Sequence, residues 1–290
     1  MTMMYDTTVV VRENRPLSGG HFLLSLHAPR QAQAARPGQF AMLHLLGRSD
    51  VLLRRPMSIY DVKAAAPKGR GARKSAEIIQ FLYKVVGRGT RLMSELKAGD
   101  AVGLLAPLGH GFFEEEYLDR ARQADKILLV AGGIGIAALL LPARQLAESG
   151  LRGRLFFGAR SRAEIVGVQD FRPWVAATAL ATEDGTRGHR GFVTRPLAAY
   201  LEKNAKKKCL LLACGPMAML QAVVKLATQY GHPCLVSMEN RMGCGLGVCL
   251  GCSIHVLGKG HEAYQRVCTE GPVFWADKII WEDARVAEAG

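Results

Sequence analysis

Four of the chain's seven cysteines fall in one stretch, MENRMGCGLGVCLGCSIHVLGKGHEAYQRVC, running from Met238 to Cys268. Cys244, Cys249 and Cys252 are spaced C-x4-C-x2-C, and Cys268 follows after fifteen intervening residues. Three thiolates from one tight loop and a fourth from further away form the plant-type arrangement for a [2Fe–2S] cluster. Gly243, Gly245, Gly247 and Gly251 surround the first three. Glycine lets such a loop wrap a small anionic object with its N–H groups turned inward. Zinc is the rival use of four thiolates, but zinc sites usually open with a C-x2-4-C knuckle matched by a second one. Buried free thiols or disulfides account poorly for four cysteines in a glycine-rich loop, and nothing suggests an oxidising compartment. The metal-ligand candidates are therefore Cys244, Cys249, Cys252 and Cys268.

A chain of 290 residues has room for about two domains beside this loop. Its 49% hydrophobic and 22% charged content is that of a folded globular protein, which excludes a disordered chain. The net charge of +13 raises the question of nucleic acid. The basic residues are scattered, however, apart from Lys206–Lys208 and the segment Lys63 to Lys74, which reads as a solvated hairpin loop. No aromatic residues are interleaved with them to stack bases. A solvated basic surface is the simpler reading, and a docking face for an acidic partner the other. Met1 to Arg12 contains no apolar leader, and the apolar run Ile127 to Leu141 is too short to span a bilayer and is interrupted by glycines. The expectation is a cytoplasmic protein without a membrane segment.

Along the chain, residues 6–13, 21–28, 39–46, 51–60, 77–86 and 100–106 read as short strands separated by turn signals, which predicts an antiparallel β-barrel. A short helix is expected over Arg91 to Lys97. From about Asp125 the pattern changes to strands alternating with helices, which predicts a doubly wound parallel sheet with nucleotide at the strand C-termini. KILLVAGGIGIAALLLPARQLAESG reads as strand, glycine turn and helix, with Pro142 kinking or restarting that helix. The fold class is thus multi-domain β plus α/β. We place a barrel at 1–122, a nucleotide domain at 123–235 and a cluster subdomain at 236–290.

This order of barrel, sheet and cysteine loop resembles the ferredoxin reductase superfamily, and within it the electron-transfer subunits of class B dihydroorotate dehydrogenase. The resemblance covers nearly the whole chain. LLRRPMSIYD (Leu52 to Asp61) resembles the family's Arg-Pro-x-Ser flavin motif, which implies that Arg55, Pro56, Met57 and Ser58 contact FAD. A guanidinium suits a diphosphate, and a small hydroxyl can meet a redox-active ring nitrogen. FLYKVVGRGT (Phe81 to Thr90) matches the second flavin segment. Leu82, Tyr83 and Lys84 would line the flavin, while Gly89 and Thr90 would offer N–H and hydroxyl groups to the diphosphate. APLGHGFF (Ala106 to Phe113) matches a stretch that closes the barrel. Gly132, Gly133 and Gly135 form a strand-to-helix turn suited to a pyrophosphate. ACGPMAML resembles the superfamily's Cys-Gly-Pro signature beside the nicotinamide, which implicates Cys214, Gly215 and Pro216. TEDGTRGHRGFVT (Thr182 to Thr194) matches a segment near the same crevice.

The resemblance implies an electron carrier with FAD, a [2Fe–2S] cluster and NAD(H) as co-substrate, and no side chain is singled out as a catalytic acid or base. It further implies a partner, an FMN-containing dihydroorotate dehydrogenase catalytic subunit, in a heterotetramer of two of each chain, serving pyrimidine biosynthesis. Sister subunits of NAD(P)H:ferredoxin or sulfide oxidoreductases share barrel and sheet and are the alternative. They tend to carry Asp for one cluster Cys. A basic zinc module contacting nucleic acid is a third reading, and it leaves both flavin segments unexplained. Arg160 and Arg162 follow the second sheet strand, where a 2′-phosphate would sit, yet the resemblance favours NADH. Met238, Met242, Leu246 and Leu250 could pack on a partner or on their own domain.

Overall fold

The computed structural model describes residues 3–48, 51–64, 75–112 and 114–281. The expected basic hairpin, Lys63 to Lys74, lies almost wholly outside these residues, as does Phe113 of the barrel-closing stretch.

Seven antiparallel strands build the first domain: β1 (Tyr5–Pro16), β2 (His21–His27), β3 (Phe40–Leu45), β4 (Arg55–Ser58), β5 (Asp61–Ala64), β6 (Ala76–Lys84) and β7 (Ala101–Leu108). They lie in the order β4-β3-β7-β1-β2-β6-β5. The single strand expected over 51–60 is divided, for a geometric reason. β4 pairs with β3 at one edge of the sheet and β5 with β6 at the other. The two are joined only by Ile59 and Tyr60, so this segment crosses the gap and closes the sheet into a barrel. The Ile59 N–H donates to the Gln39 carbonyl and the Tyr60 N–H to the Gln80 carbonyl across the seam. Pro56, which has no N–H to give, sits on an edge strand, where none is needed. Helix α1 (Pro29–Ala34) packs Ala32 into the barrel core, and α2 (Arg88–Ser94) follows β6. The expected helix over Arg91 to Lys97 therefore begins and ends a few residues earlier. Phe81, Leu24, Leu26, Ile79, Leu43 and Leu104 fill the interior, each at most 1% exposed.

Helix α3 (Glu115–Gln123) leads to the second sheet: β8 (Lys126–Gly132), β9 (Arg154–Ala159), β10 (Ala177–Thr182), β11 (His189–Arg190), β12 (Cys209–Cys214) and β13 (Cys234–Ser237). Its order, β11-β10-β9-β8-β12-β13, reverses between β8 and β12, and all these pairings are parallel. Strands β8 and β12 are almost continuously apolar because both faces are covered. Leu128 and Val130 meet a core that includes α6 (Thr194–Lys203) and α7 (Met217–Gln229). Leu129 and Ala131 meet one that includes α4 (Leu140–Glu148) and α5 (Val168–Phe171). The sheet is doubly wound. Before α4 the chain makes a 3-10 turn over Gly133–Ala138. Pro142 falls within the first turn of α4, where its missing N–H costs nothing, so the helix restarts around it.

After β13 the chain runs through the cysteine loop to a small hairpin, β14 (Ser253–His255) with β15 (Tyr264–Arg266). It then returns as β16 (Val273–Trp275), antiparallel to β13 at the edge of the nucleotide sheet. Trp275 is held there by its indole N–H on Glu116 and by edge contact with Tyr117, both on α3. The cluster segment is thus sewn to the sheet at both ends. Its apolar residues Ile254, Val256 and Val267 share one core with Phe40, Met42 and Leu108 of the barrel.

Candidate functional site

The barrel meets the parallel sheet at the strand C-termini, and three polar contacts fix the seam. Lys84 Nζ lies 2.6 Å from Glu164, Arg144 Nη1 2.6 Å from Asp61, and the Tyr60 hydroxyl donates to Asp170. Burial pushes the Asp61 carboxyl up even though Arg144 beside it pulls the other way. Two cavities open along this seam, and Lys84, Val86 and Ile134 line both.

The first, about 230 Å³, is walled by the barrel residues Pro56, Met57, Ser58, Leu82, Tyr83, Lys84 and Thr90. Ser237, Met238, Asn240 and Met242 face them from the sheet edge and the chain leading into the cysteine loop. The structure sorts the Arg54–Arg55 pair. Arg54 turns outward to a two-pronged contact with Asp6. Arg55 turns inward over α2: its Nε is buried without a hydrogen-bond partner among the described residues, and a Cβ on Gly89 would stand 2.3 Å from it. A buried guanidinium nitrogen with no acceptor calls for an anionic ligand, and only glycine at 89 leaves it room. That fits a diphosphate. Two expected contacts differ in detail. The Thr90 hydroxyl is consumed by its own turn, accepting from the Val86 and Gly87 N–H groups and donating to the Gly87 carbonyl. Tyr83 stacks on Phe22 and donates its hydroxyl to Asn14, and burial pushes that phenol up to about 12.

The second cavity, about 540 Å³, lies over the point where strand order reverses, and Gly132, Gly133 and Pro216 line it. Such a reversal opens a crevice for nucleotides, and the volume suits one. Gly135 is not in the wall. It lies where β8 and β12 touch, and a Cβ there would stand 2.3 Å from the Cys214 carbonyl oxygen. Cys214 and Gly215 are likewise beneath the floor: the Cys214 thiol is 1% exposed, and burial pushes it far up. Arg160 lines the crevice at the end of β9, with Glu183 and the largely exposed Phe192. The sequence reading missed Glu164, Ser237 and Asn240. Their one local signal is position, since Glu164 follows β9 and the other two lie at or just past the end of β13.

At the cysteine loop the thiols stand as two neighbouring pairs, Cys244 with Cys249 and Cys252 with Cys268. Cys252 and Cys268 are buried, Cys244 is half-buried and Cys249 exposed. Among the described residues no three thiols or other ligating groups stand close enough together to hold a single ion. The loop turns N–H groups onto sulfur: Leu246 to Cys244 at 3.3 Å and Gly247 to Cys268 at 3.2 Å. Burial opposes ionisation of Cys244, yet the N–H groups of Leu246, Cys249 and Val248 bring it down to about 6. Burial and the neighbouring Cys252 push Cys268 up to about 12. The donor set fits a two-iron cluster. Met238 is buried and Met242 packs on the protein's own core, whereas Leu246, Val248 and Leu250 remain exposed.

A flavin-type barrel, a nucleotide crevice at the sheet reversal and a four-thiol loop together define a ferredoxin-reductase-like iron–sulfur oxidoreductase. Residues 239–280 match the iron-sulfur cluster binding domain of dihydroorotate dehydrogenase B, and 129–225 match the oxidoreductase NAD-binding domain. Relatives named dihydroorotate dehydrogenase B (NAD(+)), electron transfer subunit, come from Geobacillus thermodenitrificans and Desulforamulus reducens. They are 35% and 33% identical, over 94% and 90% of this chain and 97% and 93% of theirs. A solved NADH-dependent reduced ferredoxin-NADP oxidoreductase aligns over 94% of this chain and 90% of its own, with a TM-score of 0.78 and 27% identity. A ferredoxin reductase of carbazole 1,9a-dioxygenase shares the fold, at a TM-score of 0.61 and 21% identity over 79% of this chain and 67% of its own. The chain belongs to the family of dihydroorotate dehydrogenase B electron-transfer subunits. It is a flavin and iron–sulfur oxidoreductase subunit with FAD and a cluster as cofactors and NAD(H) as co-substrate. Among the described residues no helix is long and apolar enough to cross a membrane.

Proposed function

We propose that this chain works in the cytoplasm beside an FMN-containing catalytic subunit, two copies of each per assembly. Dihydroorotate is oxidised on that subunit, and the electrons reach NAD⁺ through this chain. The observation that carries the reading is the asymmetry of the cysteine loop. Cys249 is exposed on the outer side, flanked by the exposed Leu246, Val248 and Leu250. On the inner side Asn240 and Met242, just before Cys244, line the flavin cavity. Electrons therefore enter at an apolar surface patch and leave at the nucleotide crevice. Bound FAD supplies the exchange between single electrons at a cluster and electron pairs at nicotinamide. The chain's own residues supply placement. Cys244, Cys249, Cys252 and Cys268 hold the metal, while Arg55 meets the diphosphate. Pro56, Met57, Ser58 and Leu82 wall the ring, and Lys84 stands where the two cavities join.

The test is reconstitution. The isolated chain, purified anaerobically with FAD, iron and sulfide, should pass electrons from NADH to a dye and leave dihydroorotate untouched. Added to a class B catalytic subunit from the same source, it should give NAD-dependent orotate formation. Cys249→Ser should abolish that coupling and keep most dye reduction. Dihydroorotate oxidation by the isolated chain, or normal coupling by Cys249→Ser, would overturn the proposed path. A second reading, a subunit of an NAD(P)H:ferredoxin oxidoreductase, is supported by the near full-length likeness to such an enzyme. Efficient NADPH-driven ferredoxin reduction, with no coupling to a dihydroorotate-oxidising subunit, would favour it.

A further inference from the structure

Arg266, at the end of β15, lies two residues before the ligand Cys268. Its guanidinium meets Glu270 through Nε at 3.0 Å and through Nη2, while its backbone N–H donates to the same carboxylate at 2.6 Å. The remaining nitrogen, Nη1, donates to the Gly247 carbonyl at 3.0 Å. Gly247 is the residue whose N–H donates to the Cys268 sulfur. It sits at φ +79, and a Cβ there would meet Thr269 at 2.8 Å and Arg266 at 3.1 Å. The Arg266 carbonyl in turn accepts from the N–H groups of Thr269, Glu270 and Gly271, which fixes the turn that carries Cys268. One side chain thus ties the C-x4-C-x2-C loop to the segment bearing the distant fourth ligand. A planar guanidinium can grip a carboxylate with two nitrogens and still offer a third, and an ammonium cannot reproduce that fork.

We propose that Arg266 is a positioning residue for the cluster: aimed by Glu270, it holds Gly247 so that the Gly247 N–H stays on the Cys268 sulfur, and its charge raises the cluster's reduction potential. This rests on the cluster reading above. Hydrogen bonds to sulfur and local net charge are two of the factors that set such potentials. Arg266 controls both at once. Glu270 stands on the far side of the guanidinium from Gly247 and partly offsets its charge, so the two residues should act on the potential with opposite signs.

The experiment uses the full chain, reconstituted anaerobically, with redox titration followed by electron paramagnetic resonance of the reduced cluster. Arg266→Gln should lower the midpoint potential and change the spectrum, while FAD content stays at the wild-type level. Arg266→Lys, which keeps the charge and loses the fork, should recover part of the potential and retain the altered spectrum. Glu270→Gln should raise the potential. A wild-type potential and spectrum in Arg266→Gln would overturn the proposal, as would shifts of the same sign in Arg266→Gln and Glu270→Gln. Loss of the cluster in all three variants with FAD retained would also overturn it, by reducing the pair to a folding brace. A wild-type chain that holds no acid-labile sulfide would remove the cluster itself, and is distinguished by metal analysis before any variant is made.

Discussion

Arg55 is half of a doublet that the sequence presents as two equivalent cations. Packing makes them opposites: Arg54 closes on Asp6 at the surface, while Arg55 keeps a buried Nε with no acceptor among the described residues. An unsatisfied buried nitrogen is a standing cost that an anionic ligand relieves. Arg55→Ala should therefore weaken FAD binding by about tenfold to hundredfold, since hydrogen bonds to a charged group contribute about 1.5–3 kcal/mol. Equilibrium dialysis of the flavin, with cluster absorbance as the internal control, measures it. Unchanged FAD affinity would show that the guanidinium faces no phosphate. Arg55→Lys should fall between the two, because it keeps the charge and gives up the planar fork.

At the level of elements, the strand-to-helix turn after β8 acts through contact with a second strand. Gly135 lies against the Cys214 carbonyl and the Gly215 nitrogen, backbone atoms with no rotamer to yield. Gly135→Ala should push the ends of β8 and β12 apart, costing about 1–3 kcal/mol as overpacking. NADH binding should fall, and FAD and cluster should remain. Urea unfolding and nucleotide titration read the two effects, and wild-type values in both would refute the contact. Much of this architecture is legible in the sequence because it is written locally. Short apolar runs separated by turn signals mark the barrel strands, an almost unbroken apolar character marks β8 and β12, and the cysteine spacing marks the cluster. The barrel closure was not legible: β4 and β5 look like one strand, and only their separate partners divide them. Nor was the use of the Thr90 hydroxyl, which either its own turn or a ligand could claim. Lys84–Glu164, Arg144–Asp61 and Tyr60–Asp170 join residues far apart in the chain, with no periodicity to announce them. Cys214 stood out through its motif, yet only the motif's proline lines the crevice, while the thiol and the glycine are packed beneath it.

Across the whole molecule, Lys84 and Glu164 form the bridge nearest the junction of the two cavities. Burial works against the Glu164 carboxylate, but the hydrogen bond and charge of Lys84 prevail and hold it below the usual glutamate range. A depressed carboxyl contributes stability above its unfolded value and loses it as pH falls through its folded value. Wild type should thus melt above Glu164→Gln at neutral pH, and the gap should close on acidification below the ordinary glutamate range. Calorimetry in a pH series checks this, and a gap independent of pH would assign the effect to packing. The return of the chain as β16 has a consequence of another kind. Carriers that hang from a tether must swing between donor and acceptor, so their turnover slows as the solvent thickens. Here both stalks of the iron–sulfur segment are neighbouring strands of one sheet, and its near wall borders the first of the two cavities. Nothing has to swing. The internal hop should be indifferent to added glycerol, and only the encounters with outside partners should feel viscosity.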